Sequence, residues 1–104
     1  MSKYPNLGYP KSGFIEALVS ALALPLSSLR SDLYRRMIKL LVAARKEAGL
    51  TQAELGERLG QRQTFVSKFE LCERRLDAAE FILVCRALGI DPCVIMRIAE
   101  NRHR

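Results

Sequence analysis

Two capping boxes and three glycines divide the middle of this chain into short helices, and that punctuation favours a small helical bundle. Thr51 followed by Glu54, and Asp77 followed by Glu80, put an acceptor at a helix start and a carboxylate three residues on. In such a pair each side chain satisfies a backbone N–H near the other. Leu50 with Leu55, and Leu76 with Phe81, bracket the boxes as hydrophobic staples. Gly49, Gly60 and Gly89 fall where apolar periodicity stops, the place for a left-handed helix end. Asp91 before Pro92 opens one further helix, because proline fits the first helical turn.

Apolar spacing fills in the helices. The first is expected over about 32–48, with Leu33, Met37, Leu40, Leu41, Ala44 and Ala48 as its buried stripe. Arg35, Arg36, Lys39 and Lys46 point away from that stripe. The second runs from Thr51 to Gly60, with Leu55 and Leu59 inward and Gly56 small where two helices approach. The third is expected over about 62–71 on Phe65, Val66 and Phe69, and neither Gln61 nor Arg62 is a good cap for it. The fourth offers Phe81, Ile82, Val84, Cys85 and Leu88, and the fifth packs through Val94, Ile95 and Ile98. Residues 101–104 are expected to fray. Ahead of these, residues 1–13 hold two prolines, two glycines and two tyrosines and read as a flexible arm. A short apolar helix from about Phe14 to Leu24 ends near Pro25, and Leu26 to Ser31 reads as a linker. The expectation is an all-α chain with an arm over 1–30 and a five-helix domain over 31–104.

Charge is concentrated on the middle of that domain. The chain carries a net +6. Residues 1–34 hold three Lys/Arg against two acids, residues 35–75 ten against five, and residues 76–104 four against four. A basic zone confined to one segment suits a phosphate backbone. The three cysteines, Cys72, Cys85 and Cys93, are odd in number and lack C-x-x-C spacing, which points to reduced thiols and a cytoplasmic protein. His103 is the only histidine, so neither a zinc site nor a cofactor site is expected. No triad of nucleophile and base sits on ordered elements, which argues against an enzyme. No apolar run reaches a membrane-spanning length, and Glu16 interrupts the stretch over 14–24.

Within the basic zone, residues 51–71 read as a helix, a tight turn at Gly60 and a second helix with a polar outer face. That arrangement suits the DNA major groove. Gln63, Thr64, Ser67 and Lys68 are the candidate base readers. The first two start the third helix, and the last two follow Thr64 at helical spacing on its face. Glutamine can grip adenine through N6 and N7, and lysine can donate to guanine. Ser67 also has the alternative of packing on a neighbouring helix. Arg62, Arg74 and Arg75 flank the third helix and are candidate phosphate contacts.

Residues 34–92 resemble the Cro/phage-repressor type of helix-turn-helix domain, the xenobiotic-response-element (XRE) family. The markers are Arg45, Gly49-Leu50-Thr51-Gln52, Leu55, Leu59-Gly60, Val66-Ser67, Glu70 and Ala87-Leu88-Gly89, with Glu73-Arg74-Arg75-Leu76-Asp77 as a continuation seen in bacterial members. The resemblance implies a lambda-repressor-like five-helix bundle whose third helix enters the major groove. It implies a phosphate contact at Gln52, where a helix start also favours anions. It implies an Arg45–Glu70 salt bridge that turns Arg45 toward a phosphate. Three features depart from the pattern: Leu71-Cys72 stands where relatives have glycine, a Ser or Thr cap is missing before the third helix, and residues 1–30 lie outside the resemblance.

The function these features imply is a sequence-specific regulator, repressor-like, binding double-stranded operator DNA as a homodimer. Helix five and the stretch over 14–24 are the candidate dimer surfaces. Two alternatives stay open. One is the antitoxin of a toxin–antitoxin pair, holding its toxin through residues 1–30. The other is a protein–protein adaptor that kept the fold.

Overall fold

The computed structural model describes the backbone of residues 26–101 and the side chains of residues 31–101. The arm over 1–13, the apolar helix over 14–24 and the end of the tail lie outside the described residues. Five helices follow in order: α1 Leu26–Glu47, α2 Gln52–Leu59, α3 Gln63–Glu70, α4 Ala78–Ala87 and α5 Pro92–Glu100. No strand occurs among the described residues.

Both capping boxes form. The Thr51 hydroxyl accepts from Glu54 N–H at 3.0 Å while Glu54 Oε1 accepts from Thr51 N–H at 2.8 Å. Asp77 and Glu80 repeat the exchange at 2.7 and 2.9 Å. Asp91 Oδ1 accepts from Cys93 N–H at 2.9 Å, with Pro92 inside the first turn of α5. Arg62 precedes α3 and makes no side-chain cap.

The first helix starts earlier than expected. Residues 26–31 are its first turns rather than a linker, since no glycine or proline interrupts the chain between Pro25 and Gly49. Its buried line also differs in phase. Ile38 and Leu41 are fully enclosed and Arg45 nearly so, whereas Leu33, Met37, Leu40 and Ala44 are half-buried and Ala48 is exposed. The run from Met37 to Ala44 is apolar at all but Lys39, so periodicity alone fits two phases.

The core joins those α1 residues to Leu55, Val66, Phe69, Leu76, Phe81, Val84, Cys85, Leu88 and Ile95. Two expected core positions on α5 are not in it: Val94 and Ile98 stay exposed, and the helix packs through Pro92, Ile95 and Ala99. Ile82 on α4 is likewise exposed. Two arginines reach from one helix to the C-terminal end of another. Arg36 Nε donates to Ala99 O at 2.7 Å, and Arg58 Nη1 donates to Ala87 O at 2.9 Å. Each puts a cation at a helix C-terminus, where carbonyls lack partners and the dipole is negative.

The turn between α2 and α3 depends on two glycines. Gly60 has φ +67 and donates to Glu57 O, while Gln61 donates back to Gly56 O at 2.9 Å. Gly56 is buried, and a Cβ there would stand 3.0 Å from Gln61 O and 3.3 Å from the Arg62 carbonyl. It is the turn backbone that approaches Gly56 so closely. The missing glycine after α3 is replaced without changing the geometry. Cys72 itself takes φ 61, donating to Phe69 O at 3.0 Å while Glu73 donates to Lys68 O at 2.9 Å. This is the same double bond that ends α2, with a side chain accepted in the left-handed region.

Candidate nucleic-acid interface

α3 is braced on α1 and α2 through a chain of side chains that grips its last residue, Glu70, closely and reaches its first, Gln63, through one longer contact. Arg45, on the last turn of α1, donates from Nε to Glu70 Oε2 at 2.7 Å and from Nη2 to Oε1 at 3.1 Å. Its Nη1 donates to Leu50 O at 2.8 Å, so the guanidinium also holds the loop that leads into α2. The pair is largely buried, with side-chain exposures of 11% and 7%. A two-toothed contact of this kind fixes orientation as well as distance. Gln52 extends it: its Nε2 donates to Glu70 Oε1 at 2.8 Å, and its Oε1 receives Gln63 Nε2 at 3.4 Å, a longer and weaker contact. One N–H of the Gln52 amide is left over, next to the positive end of α2.

Beyond that brace, Gln63, Thr64 and Lys68 are exposed on one edge of α3. Ser67 is half-buried and its hydroxyl donates to Thr64 O at 3.2 Å, turning back on its own helix. The opposite edge of α3 supplies Val66 and Phe69 to the core. Phe65 lies between, its ring meeting Phe69 edge-on at 5.7 Å.

The segment after α3 carries two arginines in different situations. Arg74 is committed to the protein: its Nη1 and Nη2 donate to Glu80 at 3.1 and 2.7 Å, and its guanidinium lies 4.7 Å from the centre of the Phe65 ring. The hydrogen bond to Glu80 raises the Arg74 pKa, and that same bond, with the Asp77 N–H, holds the Glu80 carboxyl below its usual range. Arg75 sits over the Tyr34 ring at 4.4 Å. Tyr34 Oη accepts from Leu76 N–H at 2.9 Å, so one α1 residue touches both Arg75 and the backbone beside it. Arg62 is exposed at the other end of α3.

Sequence reasoning missed Tyr34, Arg36 and Arg58. The tyrosine left a signal, since an aromatic with a polar tip on a half-buried helix edge needs a partner for its hydroxyl. The two arginines left none, because a backbone carbonyl as acceptor has no signature in the sequence. No group of metal-ligating side chains comes together among the described residues. Nor is any helix there long and apolar enough to cross a membrane.

The helix-turn-helix family profile matches residues 41–95, slightly more than half of the chain. A solved structure, the XRE-family like protein from Pseudomonas syringae pv. tomato str. DC3000, is 42% identical to this chain with a TM-score of 0.70. That match covers 75% of this chain and 95% of the other. The chain belongs to the XRE family of helix-turn-helix proteins. No curated protein matches it. As an XRE-family member it is a DNA-binding regulator, and α2 and α3, joined by the turn at Gly60, lie within the matched residues.

Proposed function

We propose that this XRE-family protein is a repressor that binds operator DNA as a homodimer in the cytoplasm, with α3 lying in the major groove. The observation that carries the reading is the edge formed by Gln63, Thr64 and Lys68, exposed while α3 is held at its last residue, Glu70, by Arg45 and Gln52. A reading helix fixed in this way meets base edges with little ordering left to do. Gln63, Thr64 and Lys68 contact bases, and Ser67, turned toward Thr64 O, shapes the helix beside them. Gln52, Arg62 and Arg75 meet phosphates, and Arg45, held by Glu70 and Leu50 O, sets α3 from behind. Arg74 stands behind them, holding Glu80. An exposed pair on α5, Val94 at 41% and Ile98 at 51%, lies one helical turn apart and supports that helix as the dimer surface. Two copies would then place their α3 helices on half-sites about 34 Å apart.

Selection from a random pool of duplex DNA, with the wild type and a Gln63→Ala/Lys68→Ala variant, tests this. A palindromic motif that the variant loses or relaxes is the expected result. Absence of any enriched motif for the wild type would overturn the reading.

A further inference from the structure

The arginines near the motif differ in what their donors do. Arg36, Arg45, Arg58 and Arg74 each spend N–H groups on acceptors of the protein itself. Arg62 is exposed with no ring beneath it among the described residues. Arg75 is different from both. Its guanidinium carbon lies over the Tyr34 ring, 4.4 Å from the centre, and among the described residues no carboxylate or carbonyl takes its N–H groups. A cation–π contact consumes no N–H donor, so the fork that matches phosphate oxygens keeps its hydrogen-bonding capacity. The backbone under it is held as well, because Tyr34 Oη takes the N–H of Leu76, the next residue.

From this we infer that Tyr34 is a positioning residue for DNA binding: it sets Arg75 as a preformed phosphate clamp at the C-terminal flank of α3. The inference rests on the DNA-binding reading and adds to it a residue that does not itself touch DNA. A lysine or arginine free in solvent must be ordered when it meets a phosphate. A guanidinium seated on a ring has already lost that freedom, and an exposed cation–π contact of this kind is worth about two- to fivefold in an equilibrium. The segment 72–77 is thereby gripped from two sides, by Tyr34 from α1 and by Arg74 on Glu80 and Phe65 from the other.

The test uses the full chain and a mixed-sequence DNA duplex, since phosphate contacts need no operator. Affinity is measured across a salt series for the wild type, Arg75→Ala, Arg75→Lys, Tyr34→Phe, Tyr34→Leu and the Tyr34→Leu/Arg75→Ala pair. Arg75→Ala is expected to reduce the slope of log affinity against log salt by about 0.9. Tyr34→Leu is expected to weaken binding about two- to fivefold in the wild-type background and to change nothing further once Arg75 is gone. Tyr34→Phe keeps the ring and should keep the salt slope. Arg75→Lys keeps the charge, loses the flat face, and should bind more weakly than wild type. Thermal unfolding of each variant identifies any that fail to fold, and Tyr34→Phe and Arg75→Lys carry the test if Tyr34→Leu is one of them. Equal losses from Tyr34→Leu with and without Arg75, or an unchanged affinity in Arg75→Lys, would overturn the clamp. Failure of the wild type to bind at any salt would overturn the DNA reading together with it.

Discussion

Replacing Glu70 tests the brace behind α3. Its carboxylate accepts three bonds: Nε and Nη2 of Arg45 at 2.7 and 3.1 Å, and Nε2 of Gln52 at 2.8 Å. In Glu70→Leu the Arg45 guanidinium keeps only Leu50 O, at 2.8 Å, while residue 45 stays 9% exposed. Breaking one side of a buried pair costs about 3–5 kcal/mol because the remaining charge has nowhere to go. The site lies at the edge of the core, and the guanidinium can turn partly outward, so about 2–3 kcal/mol is the expected loss. A domain of this size has roughly 4–10 kcal/mol to lose. Arg45→Met should cost a similar amount by stranding the carboxylate. The double variant Arg45→Met/Glu70→Leu removes both charges and should cost less than the sum of the two by about 2 kcal/mol or more. Urea unfolding followed by far-ultraviolet circular dichroism gives the three differences. Single losses below about 0.5 kcal/mol that simply add would refute the reasoning, since they would mean the pair is solvated rather than buried.

Cys72→Gly should raise stability by about 0.5–1 kcal/mol, because relief of a side chain at φ 61 outweighs the lost half-buried thiol and the added freedom of the unfolded chain. Gly60→Ala, at φ +67, should lower it by about 1–2 kcal/mol, and urea midpoints that move in the opposite directions would contradict both. Gly56→Val meets backbone at 3.0 Å and should cost more than about 2 kcal/mol, visible as a lower unfolding temperature; an unchanged temperature would mean that the turn shifts freely. The Glu54 and Glu80 carboxyls are both held below 4.5 in the folded chain, by the Thr51 N–H and by Arg74 respectively. The unfolded chain therefore takes up protons first, so their stabilisation is present above pH 4.5 and fades as pH falls below it. The urea midpoint should drop over that range, and Glu80→Gln should flatten the drop.

The parts of the fold legible in the sequence are those fixed by local chemistry. Thr51 with Glu54 and Asp77 with Glu80 specify helix starts through bonds that span three residues, and Gly49, Gly60 and Gly89 specify ends through a backbone region few other residues enter. What escaped was set by tertiary packing. Ile38 replaced its neighbours in the core because the apolar run around it permits two phases. The start of α1 moved because Ser27, Ser28 and Ser31 are weak signals that a long helix overrides. Cys72 took the glycine conformation because two backbone bonds hold it there, and nothing in a cysteine announces that. At the candidate interface, the outward edge of α3 follows from its inward residues, Val66 and Phe69. The commitment of Arg74 to Glu80 and the seat of Arg75 on Tyr34 do not, since each depends on which residue the fold brings alongside.

The claim that the exposed edge of α3 meets DNA is tested most directly by following backbone amide resonances while a duplex carrying the selected motif is added. The account predicts the largest shifts at Gln52, Gln63, Thr64 and Lys68 and over residues 73–76, with α4 nearly unmoved. Shifts concentrated on Ile82, Leu83, Val94 and Ile98, with α3 silent, would contradict it.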